Sequence, residues 1–179
     1  MVRKPSNSQA NGLLQLNDPP VMISACLLGV CCRYDGGHSL CPGLLDFVSS
    51  CPFMPFCPEQ LGGLSTPRPP ADIREGDGRD ILAGRARLIS DKGRDVTEAF
   101  KKGAQEALRL ATMAGVKIAI MKDRSPSCGL QTPHCETPSG MGMGVTAALF
   151  ESRGIKMIEL GSSDIFPFPG FSKLMEQAG

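Results

Sequence analysis

The chain contains no tryptophan and one tyrosine, Tyr34, among its 179 residues. It therefore lacks the aromatic side chains on which proteins that bind single-stranded nucleic acid stack bases. It also lacks an excess of either charge, because 19 basic and 18 acidic residues leave a formal net charge of +1. A basic excess is the usual means of binding a nucleic acid polymer or an anionic membrane. The composition thus predicts neither partner.

Long apolar runs are missing as well. No stretch of the sequence approaches the roughly 20 apolar residues that cross a bilayer. The first 20 residues are polar and are not followed by the apolar segment of a signal peptide. We therefore expect a cytoplasmic protein, with residues 1–20 as a flexible leader and residues 21–179 as a single domain, a length that suffices for one core.

Histidine is scarce and cysteine is abundant. The two histidines, His38 and His134, are too few for a metal site dominated by imidazole, whereas the chain has eight cysteines. A small secreted protein would use so many cysteines for disulfides, but this chain shows no export signal and is long enough to form its own core. In a reducing compartment, such enrichment favours metal binding or catalysis.

Strands are predicted where short runs of buried apolar residues occur. Such runs lie at residues 21–29, 116–121 and 155–160, with a further run at 53–57 and a strand or hairpin arm at 81–90. Pro55 cannot donate a hydrogen bond to a sheet, which argues against a central position for the run that contains it. Each run has the length and residue types of a strand rather than of a helix.

One helix is predicted clearly. Asp95 and Glu98 form a capping-box pattern, apolar residues then recur at spacings of three and four, and Gly115 supplies a left-handed end. Shorter helices are predicted at residues 44–49, 142–150 and 171–177. Because strands alternate with helices, the sequence predicts a single-domain α/β fold, a three-layer sandwich with a mostly parallel, Rossmann-like sheet.

Three cysteines, Cys26, Cys57 and Cys128, each lie at or just beyond the end of an apolar run. Because parallel strands end at the same edge of a sheet, these thiols can meet although they are far apart in sequence. Three thiolates suit a metal centre with one open position, either zinc with a water or an iron–sulfur cubane with one iron free for another ligand. The alternative is three buried thiols that pack as small apolar groups.

The other cysteines are less informative because none forms a close CxxC pair. They are Cys31, Cys32, Cys41, Cys51 and Cys135. Adjacent residues seldom bind one metal, so their spacing does not favour a second site.

Five motifs follow one another in the order typical of a known family. They are SACLLG at 24–29, RYDGG at 33–37, CPE at 57–59 with LGGL at 61–64 and TPRP at 66–69, GRDVT at 93–97, and SPSCG at 125–129. Together they resemble the DUF523 family, which includes the bacterial thiouracil desulfurases. The resemblance covers about residues 21–160, and the adjacent pair Cys31–Cys32 departs from its pattern.

This resemblance implies an enzyme that removes sulfur from a thiolated nucleobase such as 2-thiouracil, without net redox change, and releases sulfide. It also implies a [4Fe-4S] cluster held by Cys26, Cys57 and Cys128, with the substrate sulfur on the fourth iron and water as the source of the replacing oxygen. The expected partner is a small thio-heterocycle. Purification in air is expected to remove or replace such a cluster.

Several polar side chains near the predicted cluster are candidates for the chemistry. The attack of water needs a general base, for which Glu59 and Asp35 are the nearest carboxylates, and Ser125 is a further catalytic candidate. Candidates for substrate binding are Ser24, Ser127, Arg33 and Arg68. Each also has an ordinary structural interpretation, as a cap, a loop contact or a surface ion pair.

The sequence also fits two other classes of function. A non-catalytic protein could bind or sense a cluster or zinc through the same three thiols. A thiol-based redox enzyme is the weakest alternative, because such enzymes typically use a close CxxC pair.

Overall fold

The computed structural model describes residues 18–169 and 171. Within them, the strands are β1 (Val21–Ser24), β2 (Phe53–Phe56), β3 (Ala71–Arg74), β4 (Arg87–Ser90), β5 (Ile118–Lys122) and β6 (Lys156–Leu160). The α-helices are α1 (Pro42–Val48), α2 (Pro58–Leu61), α3 (Gly78–Leu82), α4 (Thr97–Met113) and α5 (Val145–Ser152). A short 3-10 helix, Ala25–Leu28, directly follows β1.

Four strands form a parallel sheet in the order β2, β1, β5, β6. Alternate residues of the strands face opposite sides, as a pleated sheet requires. Ile23 of β1 packs in the core under α1, while its neighbour Met22 packs in the core under α4 and α5. The predicted α/β architecture with helices on both faces of a parallel sheet is thus confirmed.

The strands β3 and β4 form a separate antiparallel pair beside this sheet. The prediction of one strand or hairpin arm over 81–90 was therefore partly wrong. Only Arg87–Ser90 is a strand, and Ile81 lies inside α3. Helix α3 begins at a capping box formed by Asp77 and Asp80. No apolar periodicity marked this helix in the sequence, since it is five residues long.

The long helix α4 begins at Thr97, one residue later than a helix with its N-cap at Asp95 would begin. The Asp95 carboxylate accepts a hydrogen bond from the Thr97 backbone N–H at 2.9 Å. Glu98 instead pairs with Lys101 at 2.9 Å, so the predicted capping box does not form. The predicted left-handed residue after the helix, Gly115, is present with φ at 69°.

Two of the predicted segments fall wholly or mostly outside the described residues. These are the leader, of which residues 1–17 are not described, and the terminal helix at 171–177, of which Phe171 alone is described. Between Asp18 and Pro169, no helix has the length and apolar character needed to cross a membrane.

Helices α2 and α4 cross at close range, and two glycines make this possible. A Cβ atom at Gly103 would lie 1.8 Å from the Pro58 carbonyl oxygen, and one at Gly62 would lie 2.0 Å from the Ala99 carbonyl oxygen. Any side chain larger than hydrogen therefore has to push the helices apart. The crossing sets the position of α2, which follows Cys57.

We expect Gly103→Ala to lower the free energy of unfolding by about 1–3 kcal/mol, because overpacking displaces the backbone of α2. Urea denaturation of the two proteins measures the loss. Lys102→Ala, on the exposed side of α4, is the control and should change stability by less than about 0.5 kcal/mol. Equal urea midpoints for Gly103→Ala and the parent protein would contradict the tight crossing.

Candidate active site

A cavity of about 290 Å³ opens at the carboxyl edge of the parallel sheet. Ligands usually bind at this edge in open α/β sheets. Four thiols line the cavity, from Cys26, Cys32, Cys57 and Cys128. The three cysteines singled out in the sequence are therefore brought together, and a fourth joins them.

Each of the three cysteines is placed by the element that carries it. Cys26 lies in the 3-10 helix after β1, and its carbonyl accepts a hydrogen bond from the Ser39 N–H at 2.9 Å. Cys57 is the residue before α2, whose first position is Pro58. Proline is common at the first position of a helix, because a backbone N–H at that position has no partner within the helix and proline has no N–H.

Cys128 lies in a tight turn that Ser125 organises. The Ser125 hydroxyl oxygen accepts hydrogen bonds from the backbone N–H groups of Ser127 and Cys128, both at 3.1 Å. A Cβ atom at Gly129 would lie 2.8 Å from the Ser125 carbonyl oxygen, so the turn needs glycine there. The Ser125 hydroxyl also lines the cavity, and its two backbone contacts leave its own proton free to donate.

Three of the four thiols, those of Cys32, Cys57 and Cys128, have a raised pKa when no metal is bound. A hydrogen bond to Cys26 raises the pKa of Cys32 to about 11, and a hydrogen bond with Cys32 raises the pKa of Cys57 far above its ordinary value. Burial raises the pKa of Cys128 to about 12, against the effect of a hydrogen bond from Ser24. Binding of a metal must therefore release protons.

The donor set is of the kind that holds an iron–sulfur cluster. Sulfur ligands select zinc, copper(I) or iron–sulfur clusters. Among the described residues, no three His, Cys, Asp or Glu side chains converge closely enough to hold a single metal ion. A cubane binds each thiolate at a separate iron, so it does not require such convergence. The thiols of Cys26, Cys57 and Cys128 could therefore hold a cluster.

A buried ion pair between Glu59 and Arg68 forms another part of the cavity wall. Arg68 Nε lies 2.6 Å from Glu59 Oε2, and the side chains are 6% and 15% exposed, respectively. Burial raises the pKa of Glu59, while the positive charge and hydrogen bond of Arg68 oppose this effect. Arg68 also donates a hydrogen bond to the Cys32 carbonyl at 3.1 Å.

The second carboxylate proposed from the sequence, Asp35, lies in a different environment. Its side chain is 43% exposed, pairs with Arg33 at 3.0 Å and does not line the cavity. The hydrogen bond from Arg33 lowers the pKa of Asp35, which makes it a weaker base than Glu59. Arg33 itself lines the cavity and also donates a hydrogen bond to the Ser39 hydroxyl at 2.6 Å.

The remaining two serines differ in their access to the cavity. Ser24 lines it, and its hydroxyl accepts a hydrogen bond from the Lys122 backbone N–H at 3.0 Å while interacting with Cys128. Ser127 is fully buried, bonds to the Thr146 hydroxyl at 3.0 Å and does not line the cavity. Ser24 is thus placed to orient the Cys128 thiol, and Ser127 is placed to hold the turn that carries Cys128.

Several cavity residues were not identified from the sequence. They are Cys32, Tyr34, Lys122, Asp123, Arg124 and His134. Adjacent cysteines seldom bind one metal, so the sequence does not single out Cys32. The structure shows that the two point in different directions, since Cys31 is exposed and Cys32 is 1% exposed.

Known proteins are similar to this chain in sequence and in fold. A family model described as 2-thiouracil desulfurase matches residues 21–160. The uncharacterized protein YbbK of Bacillus subtilis (strain 168) is 40% identical over 141 residues, which cover 77% of this chain and 93% of the relative. The solved structure of the [4Fe-4S]-dependent thiouracil desulfidase TudS is similar, with a TM-score of 0.65 and 35% identity over 79% of this chain and 91% of that one.

Proposed function

The chain belongs to the 2-thiouracil desulfurase family, DUF523, and is a desulfurating enzyme; from that premise we propose that it converts a thiolated nucleobase such as 2-thiouracil into the oxo base. The observation that carries the proposal is the cavity itself, in which four thiols and a buried carboxylate face one space. Thiols provide soft ligands for a metal that binds sulfur, and the carboxylate provides a base.

We assign the cofactor as a [4Fe-4S] cluster held by Cys26, Cys57 and Cys128. Three elements present these thiols to one cavity, and the printed name of the similar solved structure also includes this cluster. When bound, the cluster supplies a soft Lewis acid that withdraws charge from the thiocarbonyl sulfur and makes it a better leaving group. The reaction is a hydrolysis, since a C=S group and water become a C=O group and hydrogen sulfide without a change of oxidation state.

The protein residues then have to activate the water. Glu59 is the carboxylate suited to take its proton, because it lines the cavity and burial raises its pKa toward the working range of a general base. We favour it over Asp35, which is exposed and paired with Arg33. The Ser125 hydroxyl has a proton to donate to the water or to the substrate.

We infer a role for Arg68 that differs from the one predicted from the sequence. It was predicted to bind substrate, but its guanidinium is occupied by Glu59, the Cys32 carbonyl and the loop at Ser65. We assign it as a positioning residue that holds the carboxylate of Glu59 in the cavity. Arg33 and Ser24 remain candidates for contact with the substrate, since both line the cavity.

Anaerobic reconstitution with iron and sulfide tests the function. We expect a brown protein with about one cubane per chain, which releases sulfide and uracil from 2-thiouracil in equal amounts over many turnovers. Zinc-loaded protein is the matched control and should release neither. A protein that binds the cubane and leaves 2-thiouracil and related thiopyrimidines intact would instead support a non-catalytic protein that binds or senses a cluster.

A further inference from the structure

His134 lines the cavity, and the proposed reaction gives it no part. It shares the cavity wall with Glu59 and the proposed cluster ligands. Its side chain is 47% exposed, which places it at the mouth of the cavity rather than on its floor. Holding an exposed side chain in one place costs conformational entropy, so the contacts that hold His134 need an explanation.

The backbone of His134 is held between the antiparallel strand pair and the turn of Cys128. Its carbonyl accepts a hydrogen bond from the Ile73 N–H of β3 at 3.0 Å, and its N–H donates to the Thr132 hydroxyl at 3.1 Å. Thr132 is fully buried, and its hydroxyl donates to the Arg124 carbonyl at 3.2 Å. The residue is thus attached to two separate parts of the cavity wall.

Glu136 attaches the same segment to the end of β3. Its carboxylate pairs with Arg74 at 2.7 Å and accepts a hydrogen bond from the Glu75 N–H at 2.9 Å. Its own N–H donates to the Gly76 carbonyl at 3.1 Å. The end of β3 therefore supports the segment on both sides of Cys135, and it supplies a fixed base for the His134 ring.

The ring of His134 is oriented by Asp72. Its Nδ1 lies 2.9 Å from Asp72 Oδ1. An ionised carboxylate can only accept hydrogen bonds, so Nδ1 carries the proton and Nε2 of the neutral ring is left with a lone pair. Among the residues that the structure describes, Nε2 has no hydrogen-bond partner. Asp72 thereby prepares an unused acceptor at the mouth of the cavity.

An acceptor of this kind complements the rest of the cavity wall. The other side chains with nitrogen atoms in the described wall can only donate hydrogen bonds, and they are Arg33, Arg68, Lys122 and Arg124. The carboxylate of Glu59 is paired with Arg68, and that of Asp123 is paired with Lys122. A pyrimidine base carries ring N–H groups, and each needs an acceptor when it leaves water.

We propose that Nε2 of His134 accepts a hydrogen bond from a ring N–H of the thiolated pyrimidine, and that Asp72 is the positioning residue that orients the imidazole; this inference rests on the proposed function. The ring N–H is present in the substrate, in the transition state and in the product. The contact therefore strengthens binding throughout the reaction, which lowers KM and leaves kcat nearly unchanged.

The affinity for uracil tests this contact in the anaerobically reconstituted protein. Uracil has the same ring N–H groups and no sulfur, so calorimetry with uracil measures the contact apart from any bond between sulfur and iron. We expect His134→Ala to bind uracil about 3–10-fold more weakly, the usual effect of one neutral hydrogen bond. KM for 2-thiouracil should rise by the same factor while kcat and the iron content stay nearly unchanged. His38→Ala, at an exposed histidine outside the cavity wall, is the matched control and should behave as the parent protein does.

Two conservative variants separate binding of substrate from support of the loop. The amide of asparagine can take the position of Nδ1 and restore the contact with Asp72 alone, whereas the amide of glutamine reaches the position of Nε2. We expect His134→Gln to bind uracil nearly as the parent does, and His134→Asn to be as weak as His134→Ala.

Methylated uracils remove the donor from the ligand instead of the acceptor from the protein. In 1-methyluracil or 3-methyluracil, the methyl group replaces the N–H that His134 contacts, and the parent protein should lose affinity for that compound. The loss should be about 3–10-fold smaller in His134→Ala, because the variant has no hydrogen bond to lose.

The outcomes separate this inference from the proposed function. Equal affinities of the parent and His134→Ala for uracil, or equal losses on methylation in the two proteins, would overturn the contact while the parent still releases sulfide from 2-thiouracil. Recovery of uracil affinity in His134→Asn would show that His134 supports the loop only, and it would overturn the contact as well. A reconstituted parent protein that releases no sulfide would overturn the proposed function together with the inference.

Discussion

Cys128→Ala is expected to remove both the cluster and the desulfuration activity. Cys128 is buried in a turn that Ser125 and Gly129 hold in place, so alanine keeps the turn but removes the thiol that the turn presents to the cavity. The loss of activity should exceed the roughly 10–100-fold that removal of a residue behind a metal ligand costs. Iron and sulfide content per chain, measured together with sulfide release from 2-thiouracil, checks both parts.

The control for this substitution is a buried cysteine on the opposite face of the sheet. Cys51 packs in the core under α1, and its thiol contacts the Phe47 carbonyl at 3.5 Å, away from the cavity. Cys51→Ala should lose some stability but keep the cluster and the activity. If Cys128→Ala assembles a full cubane and turns over at the parental rate, Cys128 is not a ligand and Cys32 becomes the candidate for the third thiolate.

The parallel sheet and the meeting of its cysteines could be predicted from the sequence for a simple physical reason. Buried parallel strands are short apolar runs, and their ends share one edge of the sheet. Once a strand is recognised in the sequence, a cysteine at its carboxyl end can therefore be placed near that edge of the sheet. Cys57 follows its strand directly, Cys26 lies two residues after the end of its strand, and Cys128 follows after a turn.

The residues that this reasoning missed are placed by contacts between loops. The loop of Arg68 is rich in proline and glycine, and nothing in its sequence shows that the guanidinium lies inside against Glu59. The same holds for Cys32, whose inward orientation depends on hydrogen bonds with Val30 and Arg68. Short-range patterns describe helices and strands, but they do not describe which loop side chains meet across a cavity.

Strand β3 and helix α3 escaped prediction, and β4 was predicted only as part of a longer strand, because each of these elements is too short to show a period. Helix α3 is positioned by close backbone contact, since a Cβ atom at Gly78 would lie 2.5 Å from the carbonyl group of Gly144. Such contacts depend on residues far apart in the chain. They are nevertheless important for the site, because Gly144 also contacts the backbone of Ser127 in the turn of Cys128.

Glu59→Gln is expected to leave the cluster intact and to lower the rate of desulfuration by about 10²–10⁴-fold, the usual contribution of a general base. The amide has the shape of the carboxylate and still accepts a hydrogen bond from Arg68, but it cannot take a proton from water. Arg68 also keeps its contacts with the Cys32 carbonyl and Thr66, so we expect the variant to fold. Iron content per chain and the rate of sulfide release measure the two effects separately.

The dependence of the rate on pH provides a second measurement of the same role. Burial raises the pKa of Glu59, and a base acts only when it is ionised, so activity must fall as the pH drops through that raised pKa. In the parent protein this loss should occur at a higher pH than the ordinary carboxyl pKa, and Glu59→Gln should lack it.

Asp35→Asn makes the matched change at an exposed carboxylate whose pKa is lowered, and it should keep both the rate and its pH dependence. A normal rate in Glu59→Gln with a large loss in Asp35→Asn would assign the base to Asp35, and this would require the exposed loop of Asp35 to close over the cavity during turnover.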